Sequence, residues 1–437
     1  MNRPNILLVS IDSLRTDAVS ILEGPDSVTP QIDELAEDGI IFPNAITPAL
    51  WTLPAHTSLF TGLYPAEHGV TGGKTTLGDH PTLAESLADR GYDTRSYYRL
   101  DWLGAGDVLR GFAANDASVT GNSSESTIQE SIGDILGSIS GDLKQVVRGM
   151  YRGTFRAPMP DQRVVTSALN GFNEISEPFC HFVHLNDAHW PYSPTAPYHN
   201  QFTSRSWSRL FWNRAYIQRK LYDGERTDYT PSETGANVAK DLYLGCVRQT
   251  DAHLAKLVDG LKQQGLYENT IVIVFGDHGE AFGESGYFGH GDFPIPEVAS
   301  VPLVIRDPTE TIPTGSESGP VQLNDLFPTI TDIVGIDPPR TRSKSIVSDH
   351  RDVAFTHVFE SESDISSTLR YFGVWNGSSD YFVWDERDQL IIQSNGTPPY
   401  TEALERHKSD LHRVQPQTDG SLDASAKADL RQLGYLE

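Results

Sequence analysis

Residues 5–12 read NILLVSID, an almost unbroken apolar run closed by an aspartate. A run of that length without alternation reads as a strand buried on both faces, the habit of a parallel sheet covered by helices. CHFVHL (180–185) and TIVIVF (270–275) have the same texture, and VPLVIRD (301–307) reads as a further strand. Helical segments lie between them. TPQIDELAEDG (29–39) has Pro30 in its first turn and stops at Gly39, and HPTLAESLADRG (80–91) repeats the form. Residues 237–265 form a long amphipathic pattern, and VQLNDLFPTITDIVGI (321–336) reads as another helix. Helices alternating with apolar strands predict an α/β fold with a mostly parallel central sheet flanked by helices.

The texture changes after Pro338. YFGVWNGSSDYFVWDERDQLIIQS (371–394) alternates aromatic and polar residues around Gly and Asn turns, which predicts a small antiparallel sheet. DASAKADLRQLGYLE (423–437) reads as a closing helix. The expected division is a catalytic domain over 1–343 and a small C-terminal α+β subdomain over 344–437. Residues 115–170 and 195–236 are rich in Ser, Gly, Asn and Arg and read as insertions.

Ligands of open parallel sheets bind beyond the carboxyl ends of the strands. Three of the apolar runs end there in polar residues: Asp12 after the first, Asn186, Asp187 and His189 after the second, and Asp277, His278 and Glu280 after the third. A turn aspartate would explain position 12 alone, and a tight turn would explain GDHGE alone. Asp, Asp and His converging from separate strands suit a divalent metal better than either. In ALWTLPAHTSLFTGLYPAEHGV (49–70), Pro54 belongs in a first helical turn, which puts Thr52 at or just before the N-cap. Capping would account for it. A hydroxyl at a helix N-terminus that also met a metal could instead ionise and attack phosphorus or sulfur. His56 lies one turn further along the same face.

These segments occur in a familiar order. RPNILLVSIDSLRTD (3–17), TPQIDELAEDGIIFPNAIT (29–47), SLFTGLYPAEHGV (58–70), HLNDAHWPY (184–192), TIVIVFGDHGEAFGESGYFGHG (270–291), VPLVIRDP (301–308), NDLFPTITDIVGI (324–336) and LRQLGYLE (430–437) resemble the sulfatase branch of the alkaline phosphatase superfamily. The resemblance implies an alkaline-phosphatase-like fold with Asp12, Asp277 and His278 as metal ligands and Thr52 as a nucleophile bridging to the metal. It also implies that His189 and His290 face the departing and bound oxyanion, with His189 as the general acid. Whether Asp187, His189 and His290 hold a second metal stays open. Asn44, Asn324 and Asp325 recur in the matching segments as structural residues, and Glu280 as a neighbour of the metal turn.

The departures are informative. Sulfatases carry Cys or Ser, matured to formylglycine, in C/S-x-P-x-R; here the segment is TLPAH, and threonine cannot undergo that maturation. His56 stands at the family arginine. Only Arg99 partly replaces the family K-x-H element, and no lysine follows the HG of GHGDFPIPEVAS. The threonine segment resembles instead that of nucleotide pyrophosphatase/phosphodiesterases. A threonyl phosphate can turn over by in-line attack, whereas a threonyl sulfate lacks the formylglycine route. The expectation is a metal-dependent hydrolase cleaving a phosphate mono- or diester, or a sulfate ester, without formylglycine. His278 favours Mn²⁺ or Zn²⁺, with Ca²⁺ or Mg²⁺ as alternatives. A true sulfatase acting on sulfated glycans or aryl sulfates, a phospho-group transferase to a lipid or glycan acceptor, and a non-catalytic binding protein are the other readings.

Composition limits the partners. Of 437 residues, 59 are acidic and 34 basic, nine of these lysine, for a net charge of −25. Such a surface repels nucleic acid and anionic membranes, and it suits a protein soluble in concentrated salt. Cys180 and Cys246 sit in apolar contexts and read as small core residues. No stretch approaches a membrane span, and MNRPNILLVSID lacks the form of a signal peptide, so the expected location is the cytoplasm. The substrate is a small-molecule, glycan or lipid ester; the oligomeric state is not readable.

Overall fold

A computed structural model describes residues 3–99, 103–104, 106–114, 160–190, 192–205, 233–316, 319–337, 341–360, 368–395 and 400–418. The strands of the main sheet are β1 (Asn5–Ile11), β2 (Ile40–Ile46), β3 (Asp93–Tyr97), β4 (Ala113–Ala114), β5 (Phe179–Leu185) and β6 (Thr270–Gly276). A short hairpin, β7 (Ala281–Phe282) with β8 (Phe288–Gly289), follows β6. The sheet is completed by β9 (Ser300–Arg306), β10 (Gly315–Ser316) and β11 (Val321–Gln322). Their spatial order is β10-β2-β9-β6-β1-β5-β3-β4, with β11 also on β2. Neighbours are parallel except at β9, the VPLVIRD strand, which runs antiparallel to both β2 and β6.

Every residue of β1, β5 and β6 is buried, because both faces of the sheet are covered. Side chains alternate across β1. Leu7, Val9 and Ile11 join a cluster with Ile32 and Leu35 of α1 (Pro30–Glu37). Ile6 and Leu8 face Leu59 and Phe60 of α2 (Thr52–Thr61), which is followed by the single turn α3 (Pro65–His68). Leu83 and Leu87 of α4 (Leu83–Ala88) belong to that second face too. The first face is completed by Val164 and Ala168 of α5 (Pro160–Phe172) and by Leu254 and Leu257 of the long helix α6 (Glu233–Gln263). The turn α7 (Pro296–Ala299) leads into β9, and Leu326 and Ile330 of α8 (Leu326–Val334) close the second face. Both cysteines are buried, one on each face.

The C-terminal antiparallel sheet is β12 (Ala354–Phe359), β13 (Leu369–Trp375), β14 (Tyr381–Asp385) and β15 (Leu390–Asn395), in that order. Ala354, Trp375 and Val383 share one apolar cluster with Ile46, Leu50 and Ala281. Its helix is α9 (Thr401–Asp410), whose Leu404 packs on Phe355, Phe372 and Phe382. The closing helix expected at 423–437 lies outside the described residues. So do 115–159 and 206–232 of the expected insertions; residues 160–170 belong to α5 and 233–236 to the start of α6. The helix expected over 321–336 begins instead with β11 and one 3₁₀ turn, because Gln322 pairs with Ile46. No described helix is long and apolar enough to cross a membrane.

Asp251 shows how α6 holds α1. Its buried carboxylate accepts Gln31 N at 3.1 Å and Ile32 N at 3.0 Å, two donors that the first turn of α1 cannot pair internally. Burial pushes its pKa up to about 7, against the pull of those hydrogen bonds. Asp251→Ala is expected to cost about 1–2 kcal/mol of folding stability. Asp251→Asn keeps an acceptor without the charge. A carboxyl whose folded pKa is raised gives stability below its unfolded pKa and loses it as pH rises. Urea titrations should therefore show Asn matching Asp below about pH 4, gaining on it as pH rises, and holding its lead above about pH 7.

Candidate active site

Strand ends bring the predicted ligands together. Asp12 follows β1, and its N–H donates to the last carbonyl of β5, Leu185 O, at 2.9 Å. Asp277 and His278 follow β6. Two glycines make that turn fit: a Cβ on Gly276 would lie 2.5 Å from Leu14 O, and one on Gly279 would lie 2.0 Å from Glu297 O. Thr52 is the first residue of α2, a helix in which every residue is buried. It does not cap that helix. Trp51 holds the cap position, and the Thr52 hydroxyl lies 3.2 Å from His278 Nε2.

The state of His278 follows from its other nitrogen. Nδ1 lies 2.9 Å from Gly279 O, which can only accept, so Nδ1 carries the proton and Nε2 presents a lone pair. That lone pair lies 3.5 Å from Asp12 Oδ1 and 3.6 Å from Asp277 Oδ2. Asp277 Oδ1 accepts from Ser13 N at 3.1 Å and His278 N at 2.9 Å. Its Oδ2 is buried and has no hydrogen-bond partner among the described residues. Burial and the neighbouring Asp12 charge push the Asp277 pKa well above the usual carboxylate range. Burial also opposes the charge of Asp12, but His189 and His184 outweigh it and hold its pKa well below that range. Two carboxylates and a bare imidazole nitrogen, mutually within 4.8 Å, repel one another unless a cation joins them. The donor set fits a divalent metal, and among the described residues it is the group with that spacing.

The other predicted residues divide into two groups. His189 donates from Nδ1 to Trp190 O at 2.5 Å, and His290 donates from Nδ1 to Glu280 Oε1 at 3.0 Å. Their rings are 5.1 Å apart, and the His290 ring is 4.2 Å from that of His278, so both border the metal set. His56 borders the set through Nδ1, 3.8 Å from Asp277 Oδ2, whereas Asp187 faces elsewhere. His56 donates from Nδ1 to Thr52 O at 2.8 Å and accepts from Ser10 Oγ at 2.8 Å. Wholly buried, it has its pKa lowered to about 3, by burial first and then by His184. Asp187 turns to α6, where Gln249 Nε2 donates to it at 2.6 Å and His253 Nε2 is 3.5 Å away.

Asn186 and Arg99, both noted in the sequence, meet at the site, and Asp161, His184 and Ser13 join them without having been singled out. Asn186 Nδ2 donates to Asp12 Oδ2 at 2.6 Å, and Arg99 donates to Asn186 Oδ1. Asp161, in the first turn of α5, accepts both Asn186 N (2.8 Å) and Asp187 N (2.6 Å) and so fixes the loop after β5. His184, which passed as one more residue of a strand, has Nε2 3.4 Å from Asp12 Oδ2. Ser13 Oγ donates to Asp12 Oδ1 at 3.1 Å. An imidazole inside an otherwise apolar run was the available signal for His184; Asp161 and Ser13 gave none.

Comparison with known proteins agrees with this geometry. The sulfatase family profile matches residues 4–336. A sulfatase of Formosa agariphila is 24% identical over 382 residues, spanning 79% of this chain and 72% of that one. A multifunctional alkaline phosphatase superfamily protein of Trinickia caryophylli is 25% identical over 400 residues, 78% of this chain and 75% of that one. The crystal structure of the phosphonate monoester hydrolase of Agrobacterium radiobacter superposes with a TM-score of 0.67 at 20% identity, covering 93% of this chain and 94% of that one. With the family pattern running through three quarters of its length and the strand-end donor set in place, the chain belongs to the sulfatase family and is an ester hydrolase of the alkaline phosphatase superfamily.

Proposed function

We propose that the chain is a metal-dependent phosphoesterase with the Thr52 hydroxyl as nucleophile. The observation that carries this reading is the contact of Thr52 Oγ1 with His278 Nε2, the bare nitrogen facing two buried carboxylates. Asp12, Asp277, His278 and Thr52 would hold Mn²⁺ or Zn²⁺. A divalent ion there lowers the pKa of a bound hydroxyl and offsets charge on phosphoryl oxygens.

The chain's own groups then divide the work. Thr52 Oγ, its proton already released to water, attacks phosphorus, forming the threonyl P–O bond as the bond to the leaving alcohol breaks. His189, oriented by the Trp190 carbonyl, supplies a proton from Nε2 to the leaving oxygen. Water then attacks the phosphothreonine, gives its proton to His189 and releases Thr52. His290, oriented by Glu280, faces the phosphoryl oxygens. His56 takes no proton in this scheme; it holds the Thr52 carbonyl from beneath.

The test is a panel of p-nitrophenyl phosphate, bis(p-nitrophenyl) phosphate and p-nitrophenyl sulfate with added Mn²⁺ or Zn²⁺. One of the phosphate esters should exceed the sulfate in kcat/KM by about 100-fold or more. Dominant sulfate turnover would reverse the assignment. Product that forms only with an added glycan or lipid acceptor would identify a transferase.

A further inference from the structure

The loop after β1 is held in a conformation that its sequence does not favour. Ser13 has φ of 58°, a region that residues with a Cβ seldom occupy. In that conformation its N–H reaches Asp277 Oδ1 at 3.1 Å and its hydroxyl reaches Asp12 Oδ1 at 3.1 Å. One residue therefore ties the end of β1 to the end of β6, with a bond to each carboxylate.

We propose that Tyr243, in the middle of α6, is the positioning residue that keeps Ser13 in this turn and thereby sets the spacing of Asp12 and Asp277. The Tyr243 hydroxyl donates to Ser13 O at 2.8 Å and accepts from Arg15 N at 2.9 Å. It thus satisfies the two backbone groups that flank the turn, both buried. A hydroxyl can donate once and accept in the same place; a carbonyl or an ammonium cannot replace it. The ring is fixed by Tyr192 at 5.7 Å and Phe282 at 5.2 Å, edge-on and tilted respectively. Arg15 extends the clamp by donating from Nη1 to Glu280 O at 2.6 Å, on the far side of the Asp277–His278 turn. Tyr243 touches neither Thr52 nor any metal ligand, so its effect passes through residue 13. The inference rests on the metal reading above, but not on which ester is cleaved.

A double-mutant cycle on the full chain tests it, with Mn²⁺ alone as the probe, titrated calorimetrically into metal-free protein. Tyr243→Phe should raise the Mn²⁺ Kd about tenfold or more, the range of a lost outer-shell partner. Glycine occupies positive φ freely, so in a Ser13→Gly background the hydroxyl should matter little. Ser13→Gly/Tyr243→Phe should bind within about threefold of Ser13→Gly. A Tyr243→Phe protein with a lowered urea midpoint but the wild-type Kd would show a merely structural tyrosine and overturn the proposal. An equal loss in the wild-type and Ser13→Gly backgrounds would overturn it as well. If Tyr243→Phe does not fold, the two glycine variants decide the matter alone. Absence of Mn²⁺ binding by the wild type would remove the metal site itself, a failure distinct from wild-type binding left intact by the tyrosine change.

Discussion

Thr52→Ala should lower kcat on the favoured ester by about 10⁴-fold or more, the scale seen when a nucleophile is removed. The change should leave the fold alone. Thr52 opens α2 without capping it, so alanine removes no helix-terminal bond. Its hydroxyl is one donor of four around the proposed ion, so the Mn²⁺ Kd should rise by less than about tenfold, far less than the loss in rate. Thr52→Ser keeps the hydroxyl and should stay within about tenfold of the wild-type kcat. Steady-state kinetics beside Mn²⁺ calorimetry separates the two effects. An alanine variant with more than a tenth of the wild-type rate would mean that water, or another side chain, attacks the ester.

The second large effect is a reversal of stability order. Asp277→Asn keeps Oδ1 for Ser13 N and His278 N, and it replaces the orphaned Oδ2, 3.6 Å from His278 Nε2, by an uncharged amide nitrogen. It also ends the repulsion with Asp12. In EDTA the variant should be more stable than the wild type by about 1–3 kcal/mol, as expected when a buried, uncompensated charge is removed. The same change deletes an anionic ligand and should weaken Mn²⁺ by about 100-fold or more. Saturating Mn²⁺ adds RT ln(1 + [L]/Kd), about 2.7 kcal/mol at a hundred times Kd, to the wild type and little to the variant. Urea unfolding with and without Mn²⁺ should therefore cross over. Parallel shifts in both proteins would argue that no ion binds between the two aspartates.

What could be read from the residues depended on how local the cause was. β1, β5 and β6 announced themselves because a strand covered on both faces must be apolar throughout. β2 did not, because Pro43 and Asn44 interrupt it. Both sit where its register with β9 shifts between Phe42 and Ala45, an irregularity that tolerates a residue without an N–H. β3, Asp93–Tyr97, was missed for its polar composition. The direction of β9 was not legible either, since burial requires the same apolar residues for either sense. The C-terminal alternation gave its sheet, but α9 has a strongly polar sequence and was overlooked. At the site, Asp12, Asp277 and His278 stood out as polar residues ending apolar runs. Thr52 stood out from its place before Pro54. Ser13, Asp161 and Tyr243 act across gaps of 264, 25 and 230 residues, and no local pattern carries such information.

The central place of β1 has a consequence for biosynthesis. This strand is made well before its two neighbours in the sheet, β5 and β6. Ser13 and Asp277 are 264 residues apart, which at about 5–20 residues per second amounts to roughly 13–53 s of translation. Until residues 179–185 are made NILLVSI has neither partner beside it, and until residues 270–276 follow it has only one.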